Sequence, residues 1–463
     1  MNDALETVLE KLRRDHASPA LQAAFRRAFL RVQAGETGLI PEATLAPVAA
    51  LPTLADAAAH RAAGQQALAR TVVLKLNGGL GTGMGLEKAK SLLPVKDGLT
   101  FLDLIARQVL HLRQTHGIAL PLLLMNSFST EADTLAALAR HPALADQALP
   151  LSFRQNRIPK LRADTRQPVD WPADREKEWC PPGHGDLYAA LAGSGMLERL
   201  LSGGIRYAFV SNADNLGAGL DADILGYLVS SGAPFLMEVT ARTEADRKGG
   251  HLARLKDGGL LLRESAQCPP AETDLFQDIA RHRYFNTNNL WIDLEALARY
   301  MDETGGPPDL PVMVNRKTVD PRDASSTPVL QLETAMGAAL AVLPGAKALD
   351  VPRTRFAPVK TTDDLLALWS DAYVLGADAR LALDPRRNGI PPAVKLDPKF
   401  FKLWPDFAAR FPEGAPSLIA CDSFTVEGDI RFGPGVTARG HAAVRNAQPA
   451  QVIIAQQSLS NPS

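Results

Sequence analysis

Over the first seventy residues apolar positions recur at helical spacing among paired charges, with breaks at Pro41, Pro47 and Pro52, so residues 1–70 read as a helical segment packed on the core. The opening MNDALETVLEKLRRDHASPA reads as an amphipathic polar helix rather than a signal peptide. At TVVLKLN the pattern changes. Short apolar runs (TVVLKL, LPLLLMN, RYAFVSN, PFLMEVT) are each followed by a helical pattern, which predicts a largely parallel, doubly wound α/β sheet over residues 71–385. Ligands of such sheets bind beyond the carboxyl ends of the strands. From about Asp384 a Pro-rich connector leads into SFTVEGDIRFGPGVTARGHAAVRNAQPAQVII, where β-type triplets alternate with Gly turns. A rough six-residue rhythm there predicts turns of a β-helix over residues 386–463, with a small hairpin module as the alternative. The closing AQQSLSNPS reads as frayed.

Composition narrows the class. A chain of 463 residues exceeds one ordinary core, so two or three domains are expected. A net charge of −1 removes a broad basic face for nucleic acid. Cys180, Cys268 and Cys421 form no CxxC pair, which disfavours structural zinc and suits a reducing, cytoplasmic setting. The most apolar run, IALPLLLM, is too short to span a bilayer, so no membrane partner is expected.

The candidate chemistry begins at KLNGGLGTGMGLEKAKS, residues 75–91. It fits neither a P-loop nor GxGxxG, because the position that the third Gly would need is Met84, Leu86 or Lys88. A glycine loop after a strand can bring backbone N–H groups against phosphate oxygens, with Lys90 adding a charge, or it can be only a tight turn. In CPPGHGDLYAAL a rigid turn enters a helix, with Asp186 as a candidate N-cap and His184 as a turn histidine or a ligand. A backbone N–H at Gly185 and the side chain of Gln155 form a pattern that accepts a uracil carbonyl and rejects cytosine.

Asp214, in YAFVSNADNLGAGLD, follows the strand Tyr207–Val210, where a single carboxylate suffices for Mg²⁺ held mainly by phosphates; an Asx-turn is the alternative. Gly250, Glu264 and Asn288 offer acceptor and amide groups suited to sugar hydroxyls, and FNTNNLW places four hydrogen-bonding side chains at a strand entrance. In RFAPVKTTDDLL, Lys360 precedes a helix with Thr362 as candidate N-cap; a solvated lysine is the plain reading.

Taken together, KLNGGLGTGMG…KS, PPGHGD, SNADNLGA, KGG, FNTNNLW, QLETAMGAA and FAPVKTTDDLL, in this order, resemble the eukaryotic-type UTP–glucose-1-phosphate uridylyltransferase family. The resemblance implies a glycosyltransferase-A-like (Rossmann-like) α/β nucleotidyltransferase core with a C-terminal left-handed β-helix module. It implies Mg²⁺-dependent, reversible conversion of UTP and glucose 1-phosphate to UDP-glucose and pyrophosphate. It further implies that Leu76, Gly78, Gly79 and Asn212 meet the nucleotide, Lys90 the triphosphate, Gln155 and Gly185 the uracil, and His184 the phosphates. Asp214 would bind Mg²⁺, Gly250, Glu264 and Asn288 the hexose, and Lys360 its phosphate.

The sequence departs from the family at Gly83, where Ser is usual, and at Ala89, where Pro is usual. It stops soon after Ile454, where longer members continue, so a monomer or small homo-oligomer is expected. A broader UDP-sugar or UDP-N-acetylhexosamine pyrophosphorylase, a UDP-glucose-dependent glycosyltransferase and a silent UDP-sugar-binding protein are the competing expectations.

Overall fold

The computed structural model describes residues 2–256 and 258–460. Ten strands form the main sheet: β1 (Leu45–Ala46), β2 (Thr71–Asn77), β3 (Leu122–Asn126), β4 (Ser152–Arg154), β5 (Tyr207–Asn212), β6 (Phe235–Ala241), β7 (His251–Leu255), β8 (Leu260–Arg263), β9 (Tyr284–Asp293) and β10 (Lys347–Asp350). The parallel block expected from the apolar runs is present as β5-β2-β3-β4. The sheet is nevertheless mixed. β9 inserts antiparallel between β5 and β6, so the PFLMEVT strand does not join the parallel block directly. β9 is almost wholly buried and reads as an apolar run interrupted by polar residues, a pattern that carries no direction information.

The register of β2 and β3 ends on paired amides. Asn77 Nδ2 donates to Asn126 Oδ1 at 2.7 Å and to Thr134 Oγ1 at 2.9 Å, all three side chains being buried. Their backbone partners Asn77↔Asn126 close the ladder, so the two strands end level at the sheet's carboxyl edge. β5 runs two residues beyond Val210, ending at Asn212 beside Leu76.

Below that edge lies a buried ion pair. Arg355 holds Glu238 through Nε at 2.7 Å to one carboxylate oxygen and NH2 at 2.7 Å to the other. Trp291 Nε1 (2.8 Å) and Asn289 Nδ2 (3.0 Å) complete the shell around Glu238. Burial alone would penalise this pair; full hydrogen bonding is what makes it tolerable.

The N-terminal helices α1 (Asn2–Arg14) and α2 (Pro19–Gln33) bury Leu5, Val8, Leu12, Phe25 and Phe29 against Ile158, Leu330 and Leu332 of the central region. The helical reading of residues 1–70 also misses β1, which pairs with β7.

The C-terminal region stacks Ala393–Leu396, Ser417–Glu427, Thr437–Arg445 and Ser458–Leu459 as successive parallel strands. A second parallel pair joins Ile430–Phe432 to Val452–Ile454. Parallel pairing at this spacing excludes the simple hairpin module. Of the closing AQQSLSNPS, Ser458–Leu459 pairs as a strand and residues 461–463 lie outside the described residues. Among the described residues no helix is long and apolar enough to cross a membrane.

Removing one side of the Glu238–Arg355 pair leaves an uncompensated buried charge. Glu238→Ala is expected to lower the unfolding free energy by about 3–5 kcal/mol. Urea titration followed by far-ultraviolet circular dichroism measures this, and a loss below about 1 kcal/mol would contradict it.

Candidate active site

At the carboxyl edge of β2, β3 and β5 a cleft of about 330 Å³ is lined by Leu76, Gly78, Gly79, Lys90, Gln155, His184, Asn212 and Asp214, among others. The glycine loop closes one wall. Ser127 Oγ donates to the Gly78 carbonyl at 3.0 Å, and the Lys90 N–H donates to the Gly79 carbonyl at 3.0 Å. Gly85 adopts φ +71°, a left-handed conformation costly for other residues, and Leu403 of the C-terminal region packs over it. A Cβ at position 85 would stand 3.1 Å from Leu403 Cδ2.

Both departures from the family fall where the backbone absorbs them. A Cβ at Gly83 meets nothing within 4 Å, so the position has room for the family's Ser. Ala89 has φ −52° and ψ 129°, within the range a proline ring imposes. Lys90 Nζ reaches the Asp214 carboxylate at 2.7 Å and also donates to the Val359 carbonyl. Its aim is thus fixed by partners on two other segments rather than by the turn before it.

The opposite wall is the PPGHGD turn. Gln155 Nε2 donates to the Gly183 carbonyl at 3.0 Å, which orients the amide, and Gln155 Oε1 lies against Gly78. The expectation that Gly185 presents its N–H to a base does not hold in this structure. That N–H is donated to the Thr334 carbonyl at 2.8 Å, and Gly185 is buried so closely on Thr334 that no Cβ fits. Gly183, two residues earlier and lining the cleft, is the glycine of this turn whose N–H has no acceptor among the described residues.

Asp186 stands at the helix N-cap position without capping. Its carboxylate instead accepts from Asn156 N (2.7 Å) and Nδ2 (2.8 Å). His184 Nδ1 accepts the Met336 N–H at 3.1 Å, which places the ring proton of the neutral form on Nε2. Burial pulls its pKa down to about 4, so the imidazole offers an N–H rather than a cation near neutral pH.

The loop carrying Asp214 is tied at several points. Ala213 N donates to Leu76 O at 3.0 Å and Val359 N to Asp214 O at 3.2 Å. The Asx-type contact belongs to Asn215, not Asp214: Asn215 Oδ1 accepts from Gly217 N (3.2 Å) and Ala357 N (2.9 Å). Its Nδ2 donates to Asn289 Oδ1 and the Arg355 carbonyl. Asn215 is visible in NADN, but no signal in the sequence distinguishes it from Asp214.

Gly250, Glu264, Asn288 and Lys360 do not line that cleft. The first three gather where the start of β7, the residue after β8 and the middle of β9 meet. The Glu264 carboxylate lies 2.5 Å from where a Cβ of residue 250 would stand. Asn286 Nδ2 donates to Asn288 Oδ1 at 2.9 Å, and Asn288 adopts φ +57°. Burial raises the Glu264 pKa, opposed by a hydrogen bond from Asn286.

The FNTNNLW side chains lie within β9 rather than at its entrance. Thr287 and Asn289 are used internally, on the Glu238 carbonyl (2.7 Å) and carboxylate. Lys360 is exposed, 5.9 Å from the ring centres of both Phe285 and Phe356. The helix after it, α3 (Thr362–Trp369), is capped by Thr361 in a reciprocal box with Asp364, one residue before the expected Thr362.

A divalent cation fits this donor set in one way. Among the described residues no group of three or more His, Cys, Asp or Glu converges, which disfavours an all-protein cage. Asp214 in a cleft floored by glycine backbone suits Mg²⁺, which takes one or two carboxylates and completes its shell with phosphate and water.

The local geometry generates two expectations. Ala89→Pro should raise stability by about 0.4–1 kcal/mol through the unfolded chain, read as a higher melting temperature with KM for nucleotide unchanged; a lower melting temperature would contradict it. His184 binds its proton more weakly folded (about 4) than unfolded (about 6.5), so stability should fall as pH drops from 6.5 toward 4. Thermal melts across that range should show a shallower pH dependence in His184→Gln than in the parent; identical slopes would contradict the assignment.

Known proteins share this organisation. Residues 25–439 match the family described as UTP–glucose-1-phosphate uridylyltransferase. The Saccharomyces cerevisiae UTP–glucose-1-phosphate uridylyltransferase is 43% identical over 374 residues, covering 81% of this chain and 73% of that protein. The Solanum tuberosum protein of the same name is 41% identical over 404 residues, covering 85% and 82%. A mutant UDP-glucose pyrophosphorylase from Leishmania major, solved in complex with UDP-glucose, superposes with TM-score 0.91 at 46% identity over 99% of this chain and 98% of that one. A Trypanosoma brucei structure, described as a UDP-glucose phosphorylase, gives TM-score 0.88 at 46% identity, covering 99% and 100%. With its cleft, its motifs and these matches in agreement over most of its length, the chain belongs to the UTP–glucose-1-phosphate uridylyltransferase family.

Proposed function

We propose that the protein joins UTP and glucose 1-phosphate to give UDP-glucose and pyrophosphate, reversibly, in the cytoplasm. The observation that carries this reading is the convergence of Lys90, Asp214 and the glycine backbone in one cleft, beside the Gly250–Glu264–Asn288 cluster. The chemistry required is in-line attack of a phosphate oxygen of glucose 1-phosphate on the α-phosphorus of UTP, with pyrophosphate leaving. That oxygen already bears negative charge, so no general base is needed; positioning and charge neutralisation do the catalysis.

Gln155, oriented by the Gly183 carbonyl, and the unspent Gly183 N–H read the uracil. Leu76, Gly78, Gly79 and Asn212 hold the nucleotide against the strand ends. His184 donates its Nε2–H to phosphate. Glu264, Gly250 and Asn288 take hexose hydroxyls, and Lys360 draws the attacking phosphate in. Lys90, released from Asp214, stabilises the departing pyrophosphate. Asp214 would hold Mg²⁺, which would supply positive charge against the phosphates. The parallel C-terminal strands support reading that region as a left-handed β-helix.

The deciding assay mixes UDP-glucose, pyrophosphate and Mg²⁺ and detects UTP; release of UDP instead would make the protein a glycosyltransferase. Repeating it with UDP-galactose and UDP-N-acetylglucosamine defines the sugar. Lys360→Ala should lower kcat by about 10²–10³, the worth of one aimed charge, and near-normal kcat would refute its role. Gln155→Ala should lose preference for UTP over CTP with a raised KM; unchanged preference would refute uracil reading.

A further inference from the structure

Lys75 is a lysine in the wrong place for an ordinary lysine. It sits on β2 with 3% of its surface exposed and its ammonium 5.3 Å from the Phe209 ring centre, bonded to a hydroxyl and a carbonyl rather than to a carboxylate. Burial, reinforced by Arg355 and opposed by Glu238, draws its pKa down to about 7. A methionine would fill the same space without that cost.

The use of the group lies in what it bonds. Lys75 Nζ donates to Ser211 Oγ at 2.6 Å and to the Ala218 carbonyl at 3.0 Å. Both acceptors are buried, and Lys75 is the donor to each. Ser211 is its direct partner in the parallel pairing of β5 with β2, whereas Ala218 lies in the irregular stretch after that strand, its N–H bonded to the Asn215 carbonyl. Asn212 and Asp214 hang between these two points. The same ammonium therefore spans the mouth of the loop from the face opposite Leu76, which lines the cleft.

We propose that Lys75 is a positioning residue for the metal carboxylate: by holding Ser211 and Ala218 together it fixes the 211–218 loop so that Asp214 is presented to a divalent cation. The proposal rests on Asp214 being the metal carboxylate, as proposed above. A residue serving only the fold would change stability when replaced; a residue serving this loop must also change how metal–nucleotide binds relative to nucleotide alone.

The test uses the full chain and Mn²⁺–UTP, followed by the relaxation rate of water protons, with calorimetry of metal-free UTP beside it. Lys75→Met should weaken Mn²⁺–UTP about tenfold, the worth of a charge-assisted hydrogen bond, with metal-free UTP affinity within about twofold of the parent. Ser211→Ala, a smaller change, should weaken Mn²⁺–UTP about threefold, and the double variant should bind no more weakly than Lys75→Met. Parent-like Mn²⁺–UTP binding by Lys75→Met overturns the proposal, and Ser211→Ala decides in the same way should Lys75→Met not fold. Asp214→Ala separates the two readings. If it removes the metal-dependent gain while Lys75→Met retains it, only the role of Lys75 falls; if Asp214→Ala retains the gain, the metal assignment falls with it.

Discussion

One side-chain amide, that of Asn215, is bonded on every side, and the site depends on it. It accepts from the backbone N–H groups of Gly217 and Ala357 and donates to the Asn289 side chain and the Arg355 carbonyl. Three pieces of chain distant in sequence meet there: the loop with Asp214, the strand with Asn286 and Asn288, and the segment that ends in Lys360. An amide with both acceptor and donor capacity used has little freedom to rotate, and it is buried, so each bond is made in a medium where losing it is expensive. The loop with Asp214 and the segment before Lys360 are thereby pinned to β9 beyond the point where its pairing with β5 ends.

Charge is handled by the same economy of means. In this structure Lys90 and Asp214 neutralise each other across 2.7 Å, largely shielded from water. Neither group is left to repel or attract indiscriminately, yet both are on hand for an anion and a cation arriving together. His184 is kept neutral by burial and by accepting the Met336 N–H, so it adds directionality rather than charge. Deeper down, Glu238 and Arg355 cancel within a closed hydrogen-bonded shell and lend stiffness to the same segments.

The parallel block, the glycine loop and the residues of the main cleft are legible in the sequence because each arises from local chemistry: an apolar run, a strand end, a turn rich in glycine. The antiparallel insertion of β9 is not, since FNTNNLWID is compatible with either direction and its neighbours are set by residues far along the chain. The fate of the Gly185 N–H is likewise hidden. Thr334 arrives from about 150 residues away, and nothing in PPGHGD announces it. Local rules misplace the caps at Thr361 and Asp186 for a related reason. Where two threonines adjoin, reach to Asp364 decides which one caps, and the Asp186 carboxylate is taken by Asn156 across a turn. Asn215 and Lys75 lie in motifs that stand out by eye, but a buried hub reveals itself only when its partners are in space.

The packing of Leu403 over Gly85 joins the glycine loop to a region more than 300 residues downstream. Because the contact is mutual, the two cannot be energetically independent. Whatever free energy a bound nucleotide contributes to holding the loop in its left-handed turn is shared with the segment resting on it, and by reciprocity any strain in that segment is felt as altered nucleotide affinity. The C-terminal region is in this sense a second ligand of the loop, covalently supplied and always present.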